Sequence, residues 1–189
     1  GSLRGGLLLE FERQWMIDKK ENQLLRQASL PGSDGGTSSG GGVACSWDTR
    51  DNIYFPSSGS FHQFEHTVFD PGLGSDHAFQ RTILDLRVYV DLGQKHIIAI
   101  QAGGMIAGGD PPFYRLAPLG GENIMRGYYT GRYRDNILMA AQAEYRKMVW
   151  KRIGVVAFLG AGDVAHRFSA FRSTSVKPSY GENPLFKVN

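Results

Sequence analysis

The sequence lacks several features that would assign a protein class at once. Cysteine occurs once in 189 residues, as Cys45, which excludes an internal disulfide and a multi-cysteine metal site. The longest uninterrupted apolar runs are far shorter than the roughly 20 residues of a transmembrane helix, so no helical membrane span is predicted. Charges nearly balance, with 21 basic and 18 acidic residues, and this composition does not indicate nucleic-acid binding.

Motifs for catalysis and cofactor binding are missing as well. The sequence has no Gly-x-Ser-x-Gly nucleophile motif, and the glycine run 40–42 is not followed by the Lys-Ser/Thr of a phosphate-binding loop. His62 and His66 share a face of a predicted strand but lie about 13 Å apart, too far for one metal ion. We therefore expect a protein that is not an enzyme, has no catalytic residues, and binds neither a metal nor a cofactor.

What the sequence does have is glycine and an alternating pattern. Glycine accounts for 25 of the 189 residues, about twice the usual share. Apolar and polar residues alternate with a period of two, which is typical of β-strands. The clearest example is 79–91, where an apolar face opposes a polar one: Leu84, Leu86, Val88 and Val90 against Arg81, Asp85, Arg87, Tyr89 and Asp91. In a similar pattern Val43, Cys45 and Trp47 alternate with Ala44, Ser46 and Asp48, which predicts that Cys45 is a small apolar side chain facing lipid or core.

The same pattern predicts about seven or eight strands in total. Besides 79–91 and shorter alternating stretches near residues 7–11 and 43–47, the predicted strands are 60–69, 95–107, 136–150, 152–164 and 172–180. Short polar connections alternate with long ones near 18–42 and 108–135, and glycines 35–42 and 103–109 are expected in flexible outer loops and strand ends. Short turns opposite long loops are typical of a transmembrane β-barrel, although alternation alone also fits a soluble sandwich or ligand-binding barrel.

Three segments of the sequence resemble one family. The first is Ser-Trp-Asp-Thr-Arg-Asp-Asn at 46–52; the second is Leu-Gly-Gly-Glu-Asn-Ile-Met-Arg-Gly-Tyr at 119–128. The third pairs Glu-Tyr-Arg at 144–146 with Val-Ala-Phe-Leu-Gly-Ala-Gly at 156–162. In order and spacing they resemble the bacterial surface antigen barrels, the outer-membrane superfamily of BamA/TamA type. The resemblance implies an all-β, antiparallel transmembrane barrel, here a single region of 1–189 holding part of a larger barrel.

The resemblance also implies roles for particular residues. A long loop is expected to fold back into the lumen through a motif of Arg126, Gly127 and Tyr128. Two strands are expected to receive that loop, through Glu144, Arg146, Phe158, Gly160 and Gly162. The residues Asp48, Thr49, Arg50 and Asp51 are expected to form a conformational lock near the barrel rim; the alternative is that they only end a strand in a turn.

One position departs from the family pattern. The family commonly pairs the loop arginine with an aspartate in a Phe-x-Asp-x-Gly motif, but Gly160 stands at the matching position here. A guanidinium inside a barrel needs a carboxylate, because its desolvation otherwise costs several kcal/mol. We therefore expect Arg126 to pair with Glu144, with Asp48 and Asp163 as alternatives.

The function implied by the resemblance is not enzymatic. It is the insertion or translocation of outer-membrane proteins, in the outer membrane of a Gram-negative bacterium. The implied partners are membrane lipid, unfolded outer-membrane client proteins and other subunits of an assembly complex, with no nucleic acid. Two alternatives stay open: a barrel that serves as anchor or pore for another domain, and a soluble sandwich or ligand-binding barrel.

Overall fold

The computed structural model describes residues 1–16, 30–121, 124–150 and 153–186. Within these ranges the chain is built almost entirely from antiparallel strands. Their bounds are β1 Ser2–Trp15, β2 Gly35–Asp48, β3 Gly59–Phe69, β4 Phe79–Gly93, β5 His96–Gly109, β6 Ala117–Leu119, β7 Tyr133–Asp135, β8 Ile137–Met148, β9 Ile153–Ala165 and β10 Lys177–Phe186. None of the helical turns in the described part of the chain has the length and hydropathy of a membrane-spanning helix.

Eight of the strands form one curved sheet in the order β1-β2-β3-β4-β5-β8-β9-β10, and the short β6 and β7 pair separately. Each strand pairs with its neighbour in the order of the chain, apart from the excursion through β6 and β7. β1 and β10 do not pair with each other, so the sheet is an open portion of a barrel. The all-β, antiparallel partial barrel expected from the sequence is therefore confirmed, and its eight main strands match the expected seven or eight.

The two faces of the sheet differ as the alternation predicts. On β4, Leu84 and Val88 project outward and stay about two-fifths exposed, whereas Tyr89 on the other face is buried. On β1 the outward leucines are far more exposed, as at Leu9 with 91%. Cys45 also lies on the outward face of β2 and is exposed. An outward apolar face around a polar interior is the pattern of a barrel in lipid.

Two glycine-rich segments were expected in flexible outer loops and strand ends, and the structure places both of them within strands rather than loops. Glycines 35–42 form the first half of β2, and glycines 103–109 form the second half of β5. Because glycine has no side chain, the backbones of neighbouring strands can approach each other closely here. A Cβ on Gly42 would lie 2.1 Å from the backbone oxygen of His66 on β3. Glycine here marks close packing of neighbouring strands as well as strand ends, as at Gly35 and Gly109.

The small residues of β2 also explain the curvature of the sheet. The face of β2 that points into the lumen carries only short side chains over most of its length, including Ser38 and Gly40. Because they leave room, Arg81 on β4 reaches across β2 and β3 to form an ion pair with Glu10 on β1. A contact between strands three places apart requires a strongly curled sheet, so this side is the concave, lumen-facing one.

The predicted short turns lie at one end of the sheet, called the short end below, and the predicted long loops lie at the other, called the long end; the connection 49–58 departs from this pattern, because it lies at the short end and is longer than 70–78 at the long end. At the short end the connections are 49–58, 94–95 and 149–152, and at the long end they are 16–34, 70–78, 110–136 and 166–176. The predicted loop near 18–42 therefore ends at residue 34, and its residues 18–29 lie outside the described part of the chain. Aromatic residues cluster at the short end, where Trp47, Tyr54 and Trp150 are largely exposed. Such aromatic residues are typical of a membrane–water interface.

The last predicted strand was placed too early in the sequence. The expected range was 172–180, but β10 begins at Lys177 and continues to Phe186. Residues 166–176 instead form a loop with a single helical turn, Phe168–Ala170. β10 contains Pro178 and Pro184, which weakened the strand signal, and an edge strand tolerates proline because one of its sides needs no donor.

Candidate functional site in the barrel lumen

The connection 110–136, called the lumen loop below, folds back onto the concave face of the sheet. Its short β6–β7 hairpin places Leu119 and Met125 against Leu138 and Ala140 of β8, and both loop side chains are fully buried. The chain then turns at Gly127, whose φ of +94° is readily adopted only by glycine. The lumen loop is therefore a packed plug rather than an external excursion.

Glu144 on β8 is the centre of the polar contacts made by the loop. It is 5% exposed, and its Oε1 accepts from the guanidinium of Arg126. Its Oε2 lies 2.8 Å from Nη2 and 2.9 Å from Nε of Arg146, two residues along the same strand and face. Arg126 also stacks on Phe158 of β9 at 5.3 Å from the ring centroid. This is the pairing predicted from the sequence, while its functional role stays a prediction.

A chain of amide contacts supports the loop beside this ion pair. The backbone N–H of Met125 donates to Oε1 of Gln142 at 3.3 Å, and Gln142 donates in turn to Gln101 on β5 at 3.0 Å. Gln101 donates to Asp85 on β4 at 3.0 Å, and Asp85 is paired with Arg87. Met125 itself has a φ of +60°, which is uncommon outside glycine, so this network holds a strained turn in place.

The loop also contacts the edge strand β10. The hydroxyl of Tyr128 donates to the backbone oxygen of Pro178 at 2.8 Å, and the hydroxyl of Ser179 donates to the backbone oxygen of Arg126. The motif 126–128 therefore touches β8, β9 and β10 together. A single loop fixes the mutual position of three neighbouring strands.

The receiving strand β9 fits the loop through its glycines. A Cβ on Gly160 would lie 3.1 Å from Cβ of Gln142 and 3.5 Å from Sδ of Met125, and one on Gly162 would lie 2.7 Å from Cβ of Ala140. The aspartate that the family commonly carries at the position of Gly160 would have to displace these side chains. Here the carboxylate is instead supplied from β8.

The two alternative partners of Arg126 are occupied elsewhere. Asp163 on β9 binds Lys177 and the hydroxyl of Ser175. Asp48 binds Arg50 at the opposite, short end. Of the three carboxylates considered from the sequence, Glu144 alone is brought to Arg126 among the described contacts.

A second anchor of the loop was missed by the sequence reasoning. Arg115 is 8% exposed and bridges two carboxylates of β1, Glu10 at 3.1 Å and Glu12 at 2.8 Å. Its guanidinium also lies 5.2 Å from the ring centroid of Phe69. The alternation of β1 places Glu10 and Glu12 on the polar face, but nothing in the sequence shows which loop residue crosses the lumen to meet them.

The motif 48–51 organises the connection 49–58, called the rim loop below. Asp48 accepts two hydrogen bonds from the guanidinium of Arg50, at 2.9 and 2.7 Å, and Arg50 stacks on Phe61 at 4.5 Å. Thr49 accepts from the backbone N–H of Ser60 at 2.8 Å. These contacts give the predicted rim lock a defined geometry, although they do not test its role.

Asp51 closes the rim loop on itself. Partial burial raises the pKa of the Asp51 carboxyl, but hydrogen bonds from the Ser57 hydroxyl and from the backbone amides of Ser57, Ser58 and Asn52 outweigh it, so the pKa lies below its ordinary value. The amide bonds measure 2.8, 3.2 and 3.0 Å, respectively. The ionised carboxylate is therefore part of the loop's structure at neutral pH.

Metal ligands do not assemble in the part of the chain that the structure describes. No group of three or more His, Cys, Asp or Glu side chains there is placed to hold an ion. Several acidic residues of the sheet are instead paired with arginine or lysine, namely Glu10 and Glu144 in the lumen and Asp163 at the outer face. The arrangement can hold a loop and three strands in one position.

Comparisons with known proteins agree with this geometry. A family model described as the Omp85 superfamily domain matches residues 14–181. The crystal structure of BamA from Haemophilus ducreyi lacking POTRA domains 1–3 is similar, with a TM-score of 0.69 and 17% identity. The match covers 82% of this chain and 37% of that chain, so this chain spans well under half the length of that protein. Comparison with curated protein sequences gave no match.

Proposed function

Because this chain belongs to the Omp85 superfamily, we propose that it forms part of an outer-membrane barrel that inserts or translocates other outer-membrane proteins. In this proposal the chain carries out no covalent chemistry. Its contribution is a barrel wall with an internal loop, in the outer membrane of a Gram-negative bacterium. The partners would be unfolded outer-membrane proteins and the other subunits of an assembly complex.

The observation that carries the proposal is the anchoring of the lumen loop by Arg126 and Glu144. A loop that only filled the lumen of a passive barrel would not require a buried ion pair, because such a pair is costly to form. The same loop reaches β10 through Tyr128, and β10 is the last strand described at that side of the sheet. The loop is therefore placed to control the position of strands at an open side of the barrel.

Depletion of the full-length protein tests this proposal. After depletion, the outer membrane should lose several other barrel proteins, and wild-type protein should restore them. Restoration by Glu144→Gln should be weaker than by Glu65→Gln, a matched change of a glutamate on the lumen face of β3. Unchanged levels of all other outer-membrane proteins after depletion would contradict an assembly role.

One observation favours a second candidate, a barrel that serves as anchor or pore for another domain. Gly160 stands where the family commonly has the aspartate that holds the loop arginine, so the lock is built differently here. In that case depletion would leave other outer-membrane proteins unchanged. If the barrel is a pore, the reconstituted protein would conduct ions. If it is an anchor, depletion of the barrel would release its attached domain from the membrane.

A further inference from the structure

The outer face of the sheet contains a groove that the function proposed above does not use. Its floor is made of small residues that are partners across three adjacent strands: Ala102 on β5 pairs with Ala141 on β8, which pairs with Ala161 on β9. Gly104 continues the floor toward the long end. The groove measures about 570 Å³, within the range of pockets that bind small molecules.

Larger apolar side chains form the two walls of this groove. On one side stand Phe64 and Leu84, which are partners across β3 and β4. On the other side the loop 166–176 folds over the outer face and contributes Phe168 and Phe171. Phe168 remains 60% exposed, so this wall presents an apolar surface to whatever fills the groove.

The loop that forms the second wall also carries positive charge. Arg167 directly precedes Phe168 and Arg172 directly follows Phe171, and both are exposed. The segment 166–176 contains no acidic residue, and neither arginine forms an ion pair with another described residue. Asp163, the acidic residue that also borders the groove, is neutralised by Lys177.

We propose that this groove binds an anionic membrane lipid, with an acyl chain against Ala102, Ala141 and Ala161 and the headgroup phosphate at Arg167 and Arg172. The floor and walls are apolar, which fits a hydrocarbon chain, while the cations lie at the long end, where a headgroup would sit. Basic residues beside an apolar surface attract anionic lipid in this manner. The proposal rests on the membrane-spanning barrel proposed above and adds a specific lipid site to its wall.

Native mass spectrometry of the full-length protein tests the site. The protein is incubated with phosphatidylglycerol or phosphatidylcholine of identical acyl chains, and the retained lipid is counted. The wild-type protein should retain phosphatidylglycerol preferentially. Replacing Arg167 and Arg172 with alanine should lower its apparent affinity about fivefold for each arginine, whereas Lys147→Ala, at the short end of β8, should not.

A second pair of variants tests the groove separately from the charge. Ala141→Trp fills the floor and should abolish preferential retention. Ala143→Trp is the matched control, because it adds the same side chain to the same face of β8 outside the groove lining. The lipid site is contradicted if Ala141→Trp retains phosphatidylglycerol like the wild type, or if both tryptophan variants lose it equally.

Folding is measured in parallel, so that the two proposals fail in different ways. Barrels that fold in a bilayer migrate differently on a gel before and after heating. If the wild-type protein folds in vesicles but shows no lipid preference, the lipid site is overturned and the barrel proposal stands. If the wild-type protein does not fold in vesicles, the membrane-spanning proposal and the lipid site both fail.

Discussion

Replacing Glu144 with glutamine tests how firmly the lumen loop is held. Glu144 is 5% exposed, whereas its partners Arg146 and Arg126 are 15% and 29% exposed. Removing one partner of a buried ion pair costs roughly 3–5 kcal/mol. We expect about 3 kcal/mol, the low end of that range, because Arg126 is partly hydrated and the glutamine oxygen still accepts one hydrogen bond. At 1.4 kcal/mol per factor of ten, the released loop becomes about 100-fold more populated.

Limited proteolysis of the full-length protein in vesicles measures that population. Trypsin cleaves after arginine, and the lumen loop carries Arg126, Arg132 and Arg134 close together. Where opening is fast compared with cleavage, the cleavage rate follows the open population, so Glu144→Gln should be cut about 100-fold faster. Glu65→Gln, a lumen-facing glutamate of β3, should be cut at the wild-type rate.

A double-mutant cycle assigns the effect to the ion pair itself. Arg126→Gln removes one trypsin site, so cleavage is followed at the remaining arginines. If the pair carries the effect, the double variant should be little worse than either single variant. A rate for Glu144→Gln within about twofold of wild type, the range of an ordinary surface substitution, would refute the reasoning.

Three further predictions concern the other anchors. Arg115→Ala should lower the barrel's thermal transition, because two carboxylates of β1 lose a buried partner; an unchanged transition would show that this contact is not stabilising. The pKa of Asp51 is depressed in the fold, so its stabilisation is present above its ordinary pKa of 3.8 and lost as the pH falls through the lower folded value. The protection factors of the rim-loop amides, which correct for the intrinsic pH dependence of exchange, should therefore fall in acid, and Asp51→Asn should have low protection factors at every pH; an equal acid response in both proteins contradicts this. Gly160→Asp should destabilise the protein by about 1–3 kcal/mol through overpacking, read from denaturant unfolding, and a stabilised variant would contradict the fit seen on β9.

Strand positions could be predicted from the sequence wherever alternation was undisturbed. The bounds of β3, β4, β5, β8 and β9 were predicted to within two residues, because each carries a regular apolar face. The first half of β2 could not be predicted, because glycine carries no side chain to show which way a residue points. The pattern that marks a strand is lost there, even though the backbone pairs in the ordinary way.

The contacts of the candidate site could likewise be predicted only in part. Glu144 could be predicted as a partner of Arg126, because alternation places it on the polar face and burial of a guanidinium requires a carboxylate. The contact of Arg115 with Glu10 and Glu12 could not, because it depends on how far the sheet curls. The curvature depends on the small residues of β2, and a sequence pattern does not reveal distances across the barrel lumen.

Oxidative cross-linking in outer-membrane vesicles tests most directly whether the loop lies inside the barrel against β9. In a Cys45→Ser background, cysteines replace Met125 and Gly162, where a Cβ would lie 3.2 Å from Cγ of Met125, the position that the sulfur of a cysteine would take. The account predicts rapid formation of a disulfide between these positions. The control pairs Met125→Cys with Ala161→Cys, the preceding residue, which faces outward and is exposed, and it should not cross-link. No cross-link in the first pair, or equal cross-linking in both, would contradict the placement of the loop in the lumen.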